Sequence, residues 1–207
     1  HQLTRRQRQM CIRDRTGGGG TEGTDYSTIS DITISAGATT GTVSFTPTDD
    51  NVYEGNESPV VSITGVSGAD AVEDGTQSVT ITITENESAP TVTLATSATS
   101  TAENAGSSLT LTATLSVATT ADVTVGISTS GTGTEGTDYA TISDITISAG
   151  STTGTASFTP TDDNIYEGNE TGIVAISTVS GGSATEDGTQ SVTITINEDE
   201  TAPVVNL

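Results

Sequence analysis

Along most of this chain apolar and polar residues alternate with a period of two. Short runs of Val, Ile, Leu and Thr are broken by Gly, Ser, Asp and Asn, and no stretch places apolar residues at helical spacing. From residue 91 onward the pattern predicts seven strands, over 91–95, 108–115, 122–128, 141–148, 153–159, 171–177 and 190–196. The last is the cleanest: Val192, Ile194 and Ile196 fall on one face, Thr193 and Thr195 on the other.

The pattern occurs twice. Thr21–Tyr26 returns as Thr134–Tyr139, and Glu73–Val79 as Glu186–Val192, always 113 residues apart. Such an offset marks tandem domains rather than a short solenoid repeat. Seven strands in about 113 residues, with turn signals between them, predict an all-β fold of tandem immunoglobulin-like β-sandwiches. Ala202–Leu207 repeats Ala89–Leu94, so the start of a third copy is predicted at 204–207. The complete copy is placed at 90–203. Residues 16–89 are predicted to be a copy lacking its first strands, because 16–20 align with the end of the third, and that copy is expected to fold less well.

Composition separates residues 1–15 from the rest. Arg5, Arg6, Arg8, Arg13 and Arg15 are the only basic side chains apart from His1, and Met10 and Cys11 are the only sulfur-containing ones. This reads as a non-native basic segment resembling translated adapter sequence; the alternative is a basic tail that binds nucleic acid or anionic lipid. Of 27 acidic residues, 26 lie beyond it with no Lys, Arg or His among them. Phosphate binding needs such cations, so nucleic acid is not expected as a partner. Catalytic triads, Schiff-base lysines, thiolate nucleophiles and zinc sites have no residues to build them, and no enzyme activity is expected. No apolar run reaches the roughly 18 residues of a membrane span.

The acids converge. If successive strands run antiparallel, the loops after the first, third and fifth strands and the exit of the last lie at one pole. That pole gathers Glu103, Glu135, Asp138, Asp162, Asp163, Glu167, Glu170, Glu198, Asp199 and Glu200, against Asp122, Glu186 and Asp187 at the other. Oxygen-only donors from several segments suit calcium, which takes six to eight oxygens in flexible geometry. They suit zinc or copper poorly, and magnesium keeps more of its water. The plain alternative is that these are solvated loop acids that maintain solubility.

Glu103 after the first strand, Gly136-Thr137-Asp138-Tyr139 before the fourth, Asp162-Asp163 with Glu167 and Glu170 between the fifth and sixth, and the acidic close at Glu198–Glu200 together resemble the Calx-beta domain. That family occurs in sodium–calcium exchangers, in an integrin subunit and in repetitive bacterial surface proteins. The resemblance implies a Calx-beta type β-sandwich binding Ca2+. It implies ligand roles for Glu103, Asp138, Asp162, Asp163, Glu167, Glu170, Glu198, Asp199 and Glu200. In the incomplete copy the matching residues are Asp25, Asp49, Asp50, Glu54, Glu57, Glu85 and Glu87. There Asn86 replaces Asp199 and nothing matches Glu103, so a weaker site is expected. Glu135 lies outside the motif.

The aromatic residues are expected as core or loop anchors, and the Asn-Glu-Ser and Asn-Glu-Thr triplets are discounted as glycan sites because a glycan would crowd the ion site. The short acidic linker at 85–90 suggests a function. Calcium would stiffen the joint between neighbouring repeats of an extracellular or cell-surface stalk, expected to be bacterial and secreted, serving adhesion to a target the sequence does not name. A regulatory calcium sensor and a calcium-independent acidic spacer are the alternatives.

Overall fold

A computed structural model describes the backbone of residues 8–14, and residues 19–68 and 70–207 in full. The chain is all-β and forms two units, His1–Asp50 with Glu54–Asn86, and Asn51–Tyr53 with Glu87–Leu207. The first holds β1 (Arg8–Asp14) and β2 (Ile32–Ile34). The two-residue β3 (Val52–Tyr53) groups with the second unit. Back in the first are β4 (Val60–Ser67) and β5 (Ser78–Thr80). The second unit continues with β6 (Thr91–Thr96), β7 (Ser100–Ala102), β8 (Leu109–Leu115), β9 (Ala118–Thr119) and β10 (Val123–Gly131). It closes with β11 (Ile145–Ile147), β12 (Thr153–Phe158), β13 (Glu170–Ser180), β14 (Thr185–Glu186) and β15 (Ser191–Asn197).

The second unit is a sandwich of two sheets, ordered β11-β10-β13-β15-β7 and β12-β8-β6-β14. All seven strands expected from alternation are present. Their inward residues form one core: Val92 and Leu94 of β6, Leu111 and Ala113 of β8, Val123 and Val125 of β10, Val174 of β13, Ile194 and Ile196 of β15. Each fully buried Val, Leu or Ile contributes about 1.5–3 kcal/mol, which is what holds the two layers together. Tyr139 and Phe158 stack in that core with centroids 4.7 Å apart. Gly172 makes room for them, since a Cβ there would lie 2.7 Å from the Phe158 ring. Tyr166 is exposed, a loop residue rather than a core one.

Strand lengths depart from the alternation in three places. β11 is shorter than the predicted 141–148. Its approach is held by other bonds, Ala140 N–H to the Thr159 carbonyl and Ile142 N–H to Glu135 Oε1, and these take the place of ladder pairing. β13 runs three residues further than predicted, pairing with β10 across a register shift at Gly126/Ile127. The short β7 and β14 pair in parallel with β15 and β6, and two or three residues carry too little alternation to be read from sequence.

Among the described residues the first unit has one sheet, ordered β2-β1-β4-β5. The backbone of Arg8–Asp14 supplies its β1, lying between β2 and β4 as β10 lies between β11 and β13. Its register shift, at Cys11/Ile12, falls opposite Gly65 and Ile63. These are the repeat counterparts of Thr178 and Ile176 beside the β10 shift. The segment set apart by composition thus takes the place of a family strand, while 16–18, expected to end that strand, lie outside the described residues.

Candidate metal centre

The acidic loops of the second unit are built on backbone bonds. In 134–139 Gly136 adopts φ +87°, a left-handed conformation that glycine takes without a Cβ penalty. Its N–H donates to the Tyr139 carbonyl at 2.7 Å, and the Thr134 N–H donates to Asp138 Oδ2 at 2.5 Å. Glu135 is framework: it accepts from Ile142 N–H and from Thr129 Oγ1, both at 2.7 Å. Strand ends then bring the loops together. Glu103 N–H donates to the Asn197 carbonyl at 3.0 Å, and Thr161 N–H to the Asp138 carbonyl at 3.0 Å.

Two carboxylate groups result. Glu103, Glu198, Asp199 and Glu200 form one, and Asp138, Glu167 and Glu170 the other; within each, one oxygen per residue lies within 4.8 Å of all the rest. Two oxygens bound at 2.3–2.6 Å to one calcium can be no more than about 5.2 Å apart, so both groups meet that limit. Glu200 Oε2 is the decisive atom. With Glu200 ionised, this atom is shut off from solvent and has no hydrogen-bond partner, since it faces other carboxylates. A buried acceptor left unpaired costs free energy that a cation would recover, and the residues therefore fit a divalent, oxygen-seeking ion.

Electrostatics follow from the crowding. Glu198 Oε2 accepts from the N–H groups of Glu167 and Gly168 at 2.6 Å each, and these donors hold its carboxyl down to about 2. Its neighbour Glu200 can donate to Glu198 only when protonated, and it is pushed up to about 7 by that bond, by burial and by the charge of Asp199. Burial, then the charges of Asp138 and Glu167, push Glu170 up to about 7. Burial raises Glu103 and Glu167 as well, with neighbouring carboxylates adding to it.

The first unit repeats the arrangement with fewer acids. Asp25, Glu54 and Glu57 form a group matching Asp138, Glu167 and Glu170. Glu85 Oε2 accepts from Glu54 and Gly55 N–H at 2.6 Å each, as Glu198 does in the second copy. Burial, with the charges of Asp25, Glu57 and Asp50, pushes Glu54 up to about 7. Asn86 donates through Nδ2 to Asp49 Oδ1 at 2.9 Å, so one acid already has a neutral partner where the other copy places Asp199.

Not every expected ligand enters a group. Asp162 and Asp163 stand in neither, although Asp163 borders Glu103, donating its N–H to Oε1 at 3.4 Å. Its own Oδ1 caps the Ile165 amide at 2.6 Å. Asp50 and Glu85 lie near the first-unit group without joining it, Asp49 pairs with Asn86 instead, and Glu87 falls in the second unit. Three asparagines carry weight that composition does not reveal. Asn169 and Asn56 accept the N–H of Glu198 and Glu85 at 3.0 and 2.9 Å, and Asn104 Nδ2 donates to Asp199 at 2.5 Å. The retention of Asn in both Glu-Gly-Asn-Glu motifs was the available signal.

A pH dependence follows with a definite sign. Glu54, Glu170 and Glu200 are raised from 4.5 to about 7, so between those values the folded chain holds protons that the unfolded chain has released. Their contribution is full below 4.5 and lost as pH rises through about 7. Metal-free protein should therefore melt lower at about pH 8 than at about pH 5, while Glu198 opposes this only as pH falls toward about 2. Melts in metal-free buffer check it; a midpoint that rises over this range would show that the carboxylates are not crowded in solution.

The Calx-beta domain family matches residues 7–87 and 85–200. Among solved structures, the apo form of the Calx CBD1 domain is similar at 18% identity, covering 53% of this chain and 98% of that one, with a TM-score of 0.44. CBD12 from CALX1.2 is similar at 15% identity over 93% of this chain and 86% of that one, TM-score 0.42. The calcium binding domain CBD12 of CALX1.1 is similar at 12% identity over 95% and 89%, TM-score 0.36. No curated protein matches the chain. Among the described residues no helix is long and apolar enough to cross a membrane.

Proposed function

Since the chain belongs to the Calx-beta domain family, we propose that it is a calcium-binding structural repeat of an extracellular or cell-surface protein, and that ion binding stiffens the joint between successive repeats. The observation that carries this reading is Glu200 Oε2, buried and unpaired among Glu103, Glu198 and Asp199. Calcium at this pole supplies two positive charges per ion where the chain has none of its own beyond residue 15. Glu103, Glu198, Asp199 and Glu200 would hold one ion, and Asp138, Glu167 and Glu170 another. The amide donors of Glu167 and Gly168 keep Glu198 ionised and oriented.

The link to stiffness comes from position along the chain. Glu85 ends the ladder of acceptors in the first unit and is followed within five residues by Pro90, where the next copy begins. Neutralising carboxylates there removes repulsion that would otherwise keep the linker open to many conformations. With tandem copies this nearly identical, the role gains from repetition, as a spacer does. Small-angle scattering of the full chain in excess EGTA and in millimolar calcium tests it. A longer maximum dimension with narrower spread is expected with calcium, and unchanged dimensions would refute stiffening. Affinity separates the reading from a sensor: roughly 0.1–1 mM fits an extracellular structural site, and micromolar binding fits regulation.

A further inference from the structure

The four acids grouped around Glu200 differ in what already occupies them. Glu198 accepts four backbone N–H groups: those of Glu167 and Gly168 at Oε2, both at 2.6 Å, and those of Asp199 and Glu200 at Oε1, at 3.2 and 3.1 Å. An ionised carboxylate has about four lone-pair sites, so its acceptor capacity is spent on the chain itself. Among the described residues its three neighbours are nearly bare. Glu103 Oε1 accepts one N–H, from Asp163 at 3.4 Å, and Asp199 Oδ2 accepts from Asn104 Nδ2 at 2.5 Å. Glu200, when ionised, has no partner at Oε2.

The two donors at Oε2 form an anion seat. Successive backbone N–H groups in a tight turn make such concavities, and Gly168 supplies the left-handed conformation at φ +81°. A Cβ there would meet nothing within 4 Å, so only the backbone conformation calls for glycine. The bond is returned, because the Glu198 N–H donates to Asn169 Oδ1 at 3.0 Å on the same loop. Glu167, Gly168 and Asn169 are thereby clasped to the exit of β15.

The first unit repeats the clasp. Glu85 Oε2 accepts from Glu54 and Gly55 N–H at 2.6 Å each, Oε1 accepts from Asn86 N–H at 3.0 Å, and the Glu85 N–H donates to Asn56 Oδ1 at 2.9 Å. Gly55 lies at φ +79°. Yet Glu85 stands outside the carboxylate group of that unit, which is Asp25, Glu54 and Glu57. The bonds persist where the acid is no candidate ligand, so they belong to the loop and not to an ion.

We propose that Glu198 is a positioning residue and not a ligand. Through Oε2 it fixes the loop that carries Glu167 and Glu170, and through Oε1 the turn that carries Asp199 and Glu200. This rests on the calcium reading above and narrows its first ligand set to Glu103, Asp199 and Glu200. Drawing Glu198 onto an ion would take the acceptor from the Glu167 and Gly168 amides, whereas its three neighbours give up little. The loop is set before the ion arrives, and calcium meets carboxylates already in place.

Amide proton spectra of the full chain in excess EGTA and in millimolar calcium test the proposal. The Glu167 and Gly168 protons should lie downfield in EGTA and stay there when calcium is added. A ligand role predicts the opposite, since an ion taking Glu198 Oε2 would release both amides upfield. Glu198→Gln should shift them upfield in EGTA and weaken calcium binding about tenfold or more, the scale for losing a group that orients ligands. Gly168→Ala keeps every carboxylate and meets no neighbouring atom, so a comparable loss is expected from backbone strain alone. Europium luminescence lifetimes supply a further reading: Glu200→Gln should add bound water to the ion, and Glu198→Gln should not. Amides that move upfield with calcium, a Gly168→Ala chain that binds calcium like the parent, or a Glu198→Gln chain that gains water as Glu200→Gln does would each overturn the assignment. A parent that binds no calcium would remove the calcium reading and the positioning role with it, a result told apart from failure of the clasp by the spectra in EGTA.

Discussion

Calcium at about 10 mM should raise the thermal midpoint of the second unit by about 10 °C or more over that in excess EGTA, when the full chain is followed by calorimetry. An ion that binds only the folded state stabilises it by about 2.7 kcal/mol at a hundred times its dissociation constant, the condition met if that constant is ~0.1 mM. For a domain of this size each kcal/mol moves the midpoint by about 4 °C or more. Glu200→Gln with Glu170→Gln should remove most of the rise, because one acid is lost from each carboxylate group. These two are better probes than Asp163, whose Oδ1 caps the Ile165 amide, so that its loss would disturb the loop with or without an ion. The same variant should melt no lower than the parent in EGTA, since it relieves carboxylate repulsion. A rise that survives the double substitution would move the ion elsewhere; no rise at all would return the pole to a solubility role.

Phe158→Ala should cost the second unit about 3–5 kcal/mol, the range for emptying a buried aromatic site. Phe158 is fully buried and stacked on Tyr139, and its ring lies against Gly172, which has no side chain to fill the void. The counterpart substitution, Phe45→Ala, keeps the same stacking partner type, since Tyr26 and Phe45 also lie 4.7 Å apart. Yet Phe45 lines a hollow of about 190 Å³ beside Ile29, Ile32 and Val61 and is only half-buried, so its replacement should cost about half as much or less. Measuring both in one chain also assigns the two melting transitions. Equal costs would mean that the first unit encloses Phe45 as tightly as the second encloses Phe158.

The fold was legible wherever alternation and burial agree. β15 reads directly from Val192, Ile194 and Ile196, because a strand with one face in the core and one in solvent must alternate. The repeat supplied domain size, and antiparallel order alone placed the acids at a common end. Sequence could not divide those acids into groups, because division depends on which loop amides point inward. Glu198 and Glu200 are two residues apart and equally acidic on paper. In the fold one is pinned by the amides of Glu167 and Gly168, and the other is left with an unpaired oxygen. Nor could composition anticipate Arg8–Asp14 as β1, since backbone ladder bonds do not depend on the side chains that made the segment look foreign.

The parallel pairing of β7 with β15 has a mechanical consequence. Ser100–Ala102 near the start of the second unit lies alongside Thr195–Asn197 near its end, flanked by bonds from Thr195 N–H to the Thr99 carbonyl and from Glu103 N–H to the Asn197 carbonyl. Tension applied through the two ends pulls these parallel strands in opposite directions along their length. All the bonds of the patch then bear load together, in shear, instead of opening one after another as they would if peeled. The tether point also adjoins Glu103 and Glu198, so an ion held at the acidic pole would lie beside the bonds that resist extension.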